Sequence, residues 1–176
     1  LSAIPFIDED EPVAVLFGDD IIHHKKPAIG QLIDTYNKYG DPVVAIQEIP
    51  KKKTGSYGII AGQEVDKKNW QISTFVEKPE PKNAPSNLAA VGRYIITPRI
   101  IEILKTQKPG RDGEIRLADA FATYLKEGKA MYGCKFQGER YDCGNKFHFI
   151  RAQIELGLTH PDVKADLKRY LKKLCV

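Results

Sequence analysis

The chain has 176 residues, a length that suits one domain with a sizeable hydrophobic core. Hydrophobic residues make up 42% and charged residues 28%, the balance of an ordinary globular protein, which excludes a disordered tail, a collagen-like rod and a membrane bundle. No apolar run approaches the roughly 20 residues that a membrane-spanning helix needs. The net charge of +4 comes from 27 basic and 23 acidic residues spread along the whole chain, which argues against a dedicated nucleic-acid binder.

The cysteines indicate a compartment. Cys134, Cys143 and Cys175 form no C-x-x-C pair and no zinc-finger spacing. An odd count in a chain of this length favours a reducing environment over a disulfide scaffold, and no secretory signal opens the sequence. The sequence therefore predicts a cytoplasmic protein.

The first elements predict a strand, a helix and a second strand. Residues 13–17 form an apolar run that predicts a fully buried strand. Residues 29–39 place apolar side chains at helical spacing, and Gly40 suits the end of that helix. Residues 42–49 predict the second strand. This order predicts parallel strands joined by a crossover.

The rest of the chain adds strands and then helices. The further predicted strands cover residues 55–61, 71–77, 88–97 and 130–137. One further helix is predicted to begin at Pro98. Three more are predicted over residues 117–126, 146–157 and 162–174. We find no interdomain linker, so the sequence predicts one domain over residues 1–176, of the α/β class with a mixed sheet flanked by helices.

Asp19 and Asp20 follow the first predicted strand directly. Ligands of open α/β sheets bind beyond the carboxyl ends of the strands, and adjacent residues of an extended chain face opposite sides, so one of the two carboxylates is expected to point into a cleft. Mg²⁺ takes one or two carboxylates and completes its shell with water and phosphate oxygens. An Asx turn explains the same pair of residues. The pattern alone leaves both interpretations open.

Glu77, Lys78 and Pro79 close another predicted strand. The proline is expected to hold the backbone extended at Lys78 and so to fix its position. A carboxylate beside an ammonium group could receive sugar hydroxyls and a phosphate respectively. Ordinary surface charge is the alternative.

Asp142 lies in a polar segment, residues 141–146, between a strand and a long helix. It could cap that helix or supply a second carboxylate to a cation, and the pattern does not decide. Cys143 lies near the helix start, a setting that can lower a thiol pKa, but it has no convincing histidine partner. The pair His23 and His24 is a poor candidate for a metal site, because neighbouring strand residues diverge and no third ligand has suitable spacing.

Six segments, in order, resemble the bacterial UTP–glucose-1-phosphate uridylyltransferases, a branch of the sugar-nucleotidyltransferase family. They are Leu16–Asp20, Thr54–Gly58, Phe75–Pro79, Ala84–Leu88, Val91–Tyr94 and Tyr141–Lys146. The resemblance covers essentially the whole chain. It implies a partial Rossmann-like nucleotidyltransferase fold with C-terminal helices. It also implies the reaction of UTP with glucose 1-phosphate to give UDP-glucose and pyrophosphate.

The resemblance implies a role for each matching residue. Asp19 and Asp142 are similar to the two carboxylates that bind Mg²⁺, Glu77 to the acceptor of sugar hydroxyls, and Lys78 to the lysine that holds the sugar phosphate. Asp19, Lys78 and Asp142 are thereby the implied catalytic residues. The remaining residues implied to bind substrate are Tyr57, Gly58, Val91 and Tyr141.

One departure bears on activity. The family carries a loop of the form G-x-G-x-R-x-x-P that grips the triphosphate, and this sequence contains no such segment. We therefore expect the N-terminal nucleotide-binding part to be absent, the 176-residue chain alone to be inactive, and its exposed sheet edges to favour a homo-oligomer. Two alternatives remain: thymidylyl or cytidylyl transfer by a related enzyme, and a non-catalytic sugar-phosphate-binding or assembly module.

Overall fold

The computed structural model describes residues 2–110 and 113–174. Contacts within the chain divide it into two compact units. The first comprises Leu1–Leu16 and His24–Gln137, and the second comprises Phe17–His23 and Gly138–Val176, apart from the residues outside the described ranges. Their grouping into one domain stays a prediction.

The helices and strands follow the predicted order of the α/β class, with two further short strands that the sequence did not predict, over residues 20–23 and 139–142. The strands are β1 Val13–Leu16, β2 Asp20–His23, β3 Val43–Glu48, β4 Gly58–Glu64, β5 Asn69–Glu77, β6 Leu88–Ile96, β7 Tyr132–Lys135 and β8 Glu139–Asp142. The helices are α1 Ala28–Tyr39, α2 Pro98–Thr106, α3 Leu117–Lys126, α4 Lys146–Gly157 and α5 Lys164–Leu174, with short 3-10 helices at Ile4–Phe6 and Lys51–Ser56. None of the helices in the described ranges combines the length and apolar character needed to cross a bilayer.

The first unit is built on a mixed six-stranded sheet in the order β1-β6-β3-β7-β5-β4. The pairing of β3 with β7 is parallel, and the neighbouring pairs are antiparallel. Because β1 and β3 both run antiparallel to β6, they are parallel to each other, as predicted, but β6 lies between them. The predicted mixed sheet flanked by helices is therefore confirmed.

Both faces of strand β3 are covered. Residues 43–46 are all fully buried, although successive side chains of a strand point to opposite faces. Val44 and Ile46 belong to the main core, which also contains residues of α2 and α3. Helix α1 contacts β3, β6 and β7 and contributes nothing to that core, so it covers the opposite face. Gly40 ends α1 with a left-handed φ of 75°, as its position predicts.

The prediction of a fully buried first strand is wrong. Val13 and Val15 pack partly against the main core, whereas Ala14 and Leu16 are exposed. Strand β1 lies at the edge of the sheet, and within the described residues only one of its faces is covered. Leu16 keeps half of its side-chain surface exposed. Apolar side chains are common on protein surfaces, so an apolar run does not by itself show that both faces of a strand are buried.

The second unit contains a two-stranded antiparallel ladder that the sequence did not reveal. Strand β2 pairs with β8, and Asp20 lies directly opposite Asp142. Each strand has four residues and its partner lies more than a hundred residues away, so no local period marks the pair. Helix α4 follows, and its N-cap is Asn145, whose side chain accepts hydrogen bonds from the backbone N–H groups of Phe147 and His148. Asp142 therefore does not cap this helix.

Candidate functional site

Four of the implied sugar-site residues come together where β4 begins and β5 ends. Gly58 and Glu77 are directly opposite each other in the β4–β5 ladder. The next pair continues this contact, because the backbone N–H of Lys78 donates to the carbonyl of Tyr57 over 3.0 Å. The side-chain ammonium of Lys78 lies 3.6 Å from a Glu77 carboxylate oxygen. The first unit thus holds an adjacent acid and ammonium at a strand end, the pair that the sequence motif predicts.

The backbone at Lys78 differs from the prediction. Its φ is 46°, in the left-handed region, so the residue before Pro79 is not extended as expected. Among the described residues it is the one non-glycine residue with positive φ. Such a conformation costs about 1 kcal/mol or more and persists where surrounding contacts impose it. Here the hydrogen bond to Tyr57 holds Lys78 at the point where the chain leaves β5. More than half of the Lys78 side-chain surface remains exposed to solvent.

Gly58 lies in close contact with the side chains of Phe75 and Glu77. A Cβ atom at position 58 would lie 2.7 Å from the ring of Phe75 and 3.1 Å from a Glu77 carboxylate oxygen. Any larger residue would therefore collide with the buried ring or displace the carboxylate. This close approach explains on steric grounds why residue 58, the last of the segment Thr54–Gly58, is a glycine.

Tyr57 and Val91 contribute in another way. The Tyr57 ring packs against a small apolar cluster of Ile49, Ile59 and Ala89. Val91 is 2% exposed, so its side chain lies in the interior of the sheet. Any contact of Val91 with a substrate would therefore use its backbone. The structure does not test the implied substrate roles, and they stay predictions.

In the second unit, the carboxylates of Asp19 and Asp142 converge on Gly144. A Cβ atom built on Gly144 would lie 3.3 Å from Asp19 Oδ2 and 3.3 Å from Asp142 Oδ1. The two oxygens are thus separated by less than twice that distance. The backbone fixes this arrangement, since the Cys143 N–H donates to the Asp19 carbonyl over 2.7 Å. Asp19 is exposed, and its side chain makes no hydrogen bond or ion pair with any described residue.

Asp20 occupies a different environment from its neighbour. Its side chain is 8% exposed and receives two hydrogen bonds from Arg140, from Nε to Oδ1 at 2.5 Å and from a terminal nitrogen to Oδ2 at 3.1 Å. That same terminal nitrogen lies 3.8 Å from Asp142 Oδ2. The structure therefore separates the two aspartates that the sequence left equivalent. Asp19 faces Asp142 beside Gly144, and Asp20 is committed to Arg140.

The donor set at Gly144 fits Mg²⁺. Two carboxylates are the usual protein contribution to this ion, which completes its shell with water and phosphate oxygens. The absence of a side chain on Gly144 leaves room between the two carboxylates. In the described part of the chain no group of three or more histidine, cysteine, aspartate or glutamate side chains could hold a metal by itself. A site here would therefore depend on ligands from solvent or substrate.

Cys143 and Tyr141 flank this site. Burial and then the negative charges of Asp142, Asp20 and Asp19 raise the pKa of the Cys143 thiol, the opposite of the lowering that a helix start can produce. Tyr141 is 3% exposed and its hydroxyl donates to Glu155 over 2.7 Å. Burial and this hydrogen bond raise the pKa of Tyr141 to about 12. Its hydroxyl is thus engaged inside the second unit, and a contact with substrate stays a prediction.

Sequence reasoning missed Arg140. A signal was present, because Arg140 precedes Asp142 by two residues and alternate residues of a strand share a face. Without knowledge that residues 139–142 form a strand, that spacing had no meaning.

Comparison with known proteins assigns the chain to a class. The family model described as "Nucleotidyl transferase" matches residues 1–157. This protein therefore belongs to the nucleotidyl transferase family.

Individual relatives carry a more specific name. The chain is 42% identical to the UTP–glucose-1-phosphate uridylyltransferase of Staphylococcus epidermidis over 94% of its own length and 57% of that protein. It is 42% identical to the enzyme of the same name from Streptococcus pyogenes over 99% of its length and 58% of that protein. A crystal structure of UDP-glucose pyrophosphorylase complexed with UDP-glucose superposes with a TM-score of 0.83 at 38% identity, covering 90% of this chain and 60% of the other. The chain thus spans under two thirds of the length of each.

Proposed function

We propose that the protein containing this chain transfers a uridylyl group from UTP to glucose 1-phosphate, giving UDP-glucose and pyrophosphate. The observation that carries the proposal is the convergence of Asp19 and Asp142 beside Gly144. The names of the uridylyltransferases that share 42% identity with the chain support the choice of substrates.

The reaction needs alignment and charge neutralisation more than a protein nucleophile. A phosphate oxygen of glucose 1-phosphate attacks the α-phosphorus of UTP in line, and the bond from that phosphorus to the bridging β-phosphate oxygen breaks as pyrophosphate leaves. The attacking phosphate is already ionised near neutral pH, so no general base has to remove a proton.

Each side chain then has a defined task. Lys78 presents an exposed ammonium, which binds the phosphate of glucose 1-phosphate, and Glu77 accepts hydrogen bonds from the sugar hydroxyls. Gly58 has no side chain, so the Glu77 carboxylate can lie close to the opposite strand. Asp19 and Asp142 would hold Mg²⁺, which would offset the negative charge of phosphate oxygens.

A nucleotide panel tests the proposal. The full-length protein is incubated with glucose 1-phosphate, Mg²⁺ and either UTP, dTTP, CTP, ATP or GTP, and released pyrophosphate is measured. We expect UTP to give the highest kcat/KM. A preference for dTTP or CTP would replace uridylyl transfer by thymidylyl or cytidylyl transfer, and no pyrophosphate with any nucleotide would favour a non-catalytic binding or assembly module.

Two further proposals concern the state of the protein. We propose a homo-oligomer, because β1 lies at a sheet edge and the apolar side chains of Tyr170 and Leu174 on α5 are mostly exposed. Light scattering on the full-length protein should give a mass above that of one chain.

We also propose a cytoplasmic location, which the free thiols of Cys134 and Cys143 support, whereas Cys175 lies outside the described residues.

A further inference from the structure

Three charged side chains share one face of the β2–β8 ladder. Asp20 lies directly opposite Asp142, and Arg140 precedes Asp142 by two residues on the same strand. Like charges directly opposite each other in a ladder are destabilising. Arg140 is the cation placed diagonally to this pair, within reach of both carboxylates.

The contacts of Arg140 are unequal. It grips Asp20 with two hydrogen bonds in a fork geometry, and one of the same nitrogens lies 3.8 Å from Asp142 Oδ2. The Arg140 and Asp20 side chains are 12% and 8% exposed. Removing two charges from water is costly, so a buried ion pair of this kind is weak evidence that the pair stabilises the fold. The geometry of the Arg140–Asp20 pair indicates a role other than stabilising the fold.

We propose that Arg140, anchored by Asp20, is a positioning residue for the carboxylate of Asp142. This inference rests on the proposed function, in which Asp142 is a ligand of Mg²⁺. Arg140 attracts Oδ2 of Asp142, and the other oxygen, Oδ1, then faces Gly144 and the carboxylate of Asp19. The rotation of the Asp142 carboxylate is thereby set before a cation arrives.

The charges support the same conclusion. The cluster holds three carboxylates, and Arg140 offsets that of Asp20 with its shorter contacts. Two negative charges, on Asp19 and Asp142, then remain to balance a divalent cation. Without Arg140, Asp20 would add a third negative charge beside Asp142, and its buried carboxylate would compete for the cation or repel the ligand.

Cation binding without turnover provides the test. Mn²⁺ is titrated into the full-length protein in the absence of substrates, and free Mn²⁺ is measured by electron paramagnetic resonance. The variants are Arg140→Met, Arg140→Lys, Asp20→Asn and Asp142→Asn. Arg99→Met is the matched control, because Arg99 grips the carboxylate of Glu127 with a similar fork in the first unit. Circular dichroism and melting curves establish that each variant is folded at the temperature of the titration.

We expect Arg140→Met to weaken Mn²⁺ binding by about 10- to 100-fold, the usual effect of losing a side chain that orients a metal ligand. Asp20→Asn should weaken it in the same direction, although Asp20 is not a ligand. Arg140→Lys should recover part of the affinity, since lysine keeps the charge but not the fork. Arg99→Met should bind as the wild type does. In the assay, Arg140→Lys should raise the Mg²⁺ concentration for half-maximal activity while the KM for glucose 1-phosphate stays unchanged.

The outcomes separate this inference from the proposed function. If Asp142→Asn loses Mn²⁺ binding but folded Arg140→Lys and Asp20→Asn bind like the wild type, the positioning role is wrong and the metal site stands. If the wild type binds no Mn²⁺, or Asp142→Asn binds it normally, the metal assignment and the inference both fail. A loss of affinity in Arg99→Met equal to that in Arg140→Met would show a non-specific effect of charge and would also overturn the positioning role.

Discussion

Asp66 in the first unit and Asp19 in the second are both carboxylates next to a strand, and the protein surrounds them in opposite ways. The oxygens of Asp66 accept hydrogen bonds from the Lys38 ammonium, the Tyr39 hydroxyl, the Asn69 side chain and the backbone N–H groups of residues 68 and 69. Asp19 has no such donor among the described residues, and its carboxylate shares the surroundings of Gly144 with a second carboxylate, that of Asp142.

This difference separates a structural acid from a proposed metal ligand. The hydrogen bonds from Asn69 and Lys38 lower the pKa of Asp66 well below its usual range. The charged carboxylate thereby links the end of α1 to the turn between β4 and β5. A carboxylate without protein donors, held beside a second one, gains most from an added cation. Five substitutions test this distinction between structural side chains and side chains proposed to bind substrate or metal.

The largest effect should come from Asp19→Asn and Asp142→Asn. Each removes one negative charge from the proposed cation site, and we expect kcat of the full-length protein to fall by more than about 100-fold, because even residues that only orient a metal ligand are typically worth 10- to 100-fold. The fold should persist, since Asp19 is exposed. Steady-state kinetics with a melting curve measure both. Normal turnover in either variant would remove that residue from the metal site.

Lys78→Ala should act on one substrate. Loss of the ammonium should raise the KM for glucose 1-phosphate by about 10- to 100-fold, the size expected for a charge-assisted hydrogen bond, and change the KM for UTP much less. Lys82→Ala is the matched control, because Lys82 is an exposed lysine of the following turn. Equal changes in both KM values would assign Lys78 another role.

Asp66→Asn should reduce stability and leave activity intact. Weakening several hydrogen bonds to a charged group should lower the free energy of unfolding by about 2 kcal/mol at pH 7, measured by urea denaturation. Asp34→Asn, which alters an exposed carboxylate paired with Lys26, should cost less.

The pH dependence of the free energy of unfolding gives a second test of the Asp66 hydrogen bonds. The folded pKa of Asp66 is lowered, so its contribution is complete above the unfolded pKa of about 4 and is lost as the pH falls below it. The stability difference between the wild type and Asp66→Asn should therefore shrink in acid. A difference that stays constant from pH 7 to pH 3 would contradict the hydrogen-bond account of this cluster.

The smallest effect should come from Tyr141→Phe. Loss of the hydrogen bond to Glu155 should lower the free energy of unfolding by about 1 kcal/mol. Because the folded pKa of Tyr141 is raised to about 12 from 10, this contribution is complete below pH 10 and is lost as the pH rises toward 12. Absorbance titration of the wild type should show a late tyrosine that the variant lacks. A higher KM for glucose 1-phosphate with unchanged stability would instead support the implied substrate role.

The sequence by itself determined the order of most elements and their ends. Helix α1 follows from apolar spacing and the terminal Gly40, and α2 follows from Pro98 at its first position, because these signals act within one or two turns of the chain. The motifs around Asp19, Lys78 and Asp142 also indicate the family from the sequence alone.

Only the tertiary structure decided which aspartate faces the proposed cation site, that Arg140 contacts Asp20 and Asp142, and that Lys78 adopts a left-handed backbone. The first two depend on the pairing of β2 with β8, which are distant in sequence. The third depends on the hydrogen bond from Lys78 to Tyr57, which lies at the open end of the β4–β5 hairpin. Residue periodicity records which faces of a segment are apolar, but it contains no information about the partner strand. The partner strand is what turns Asp20 toward Arg140 and leaves Asp19 beside Asp142.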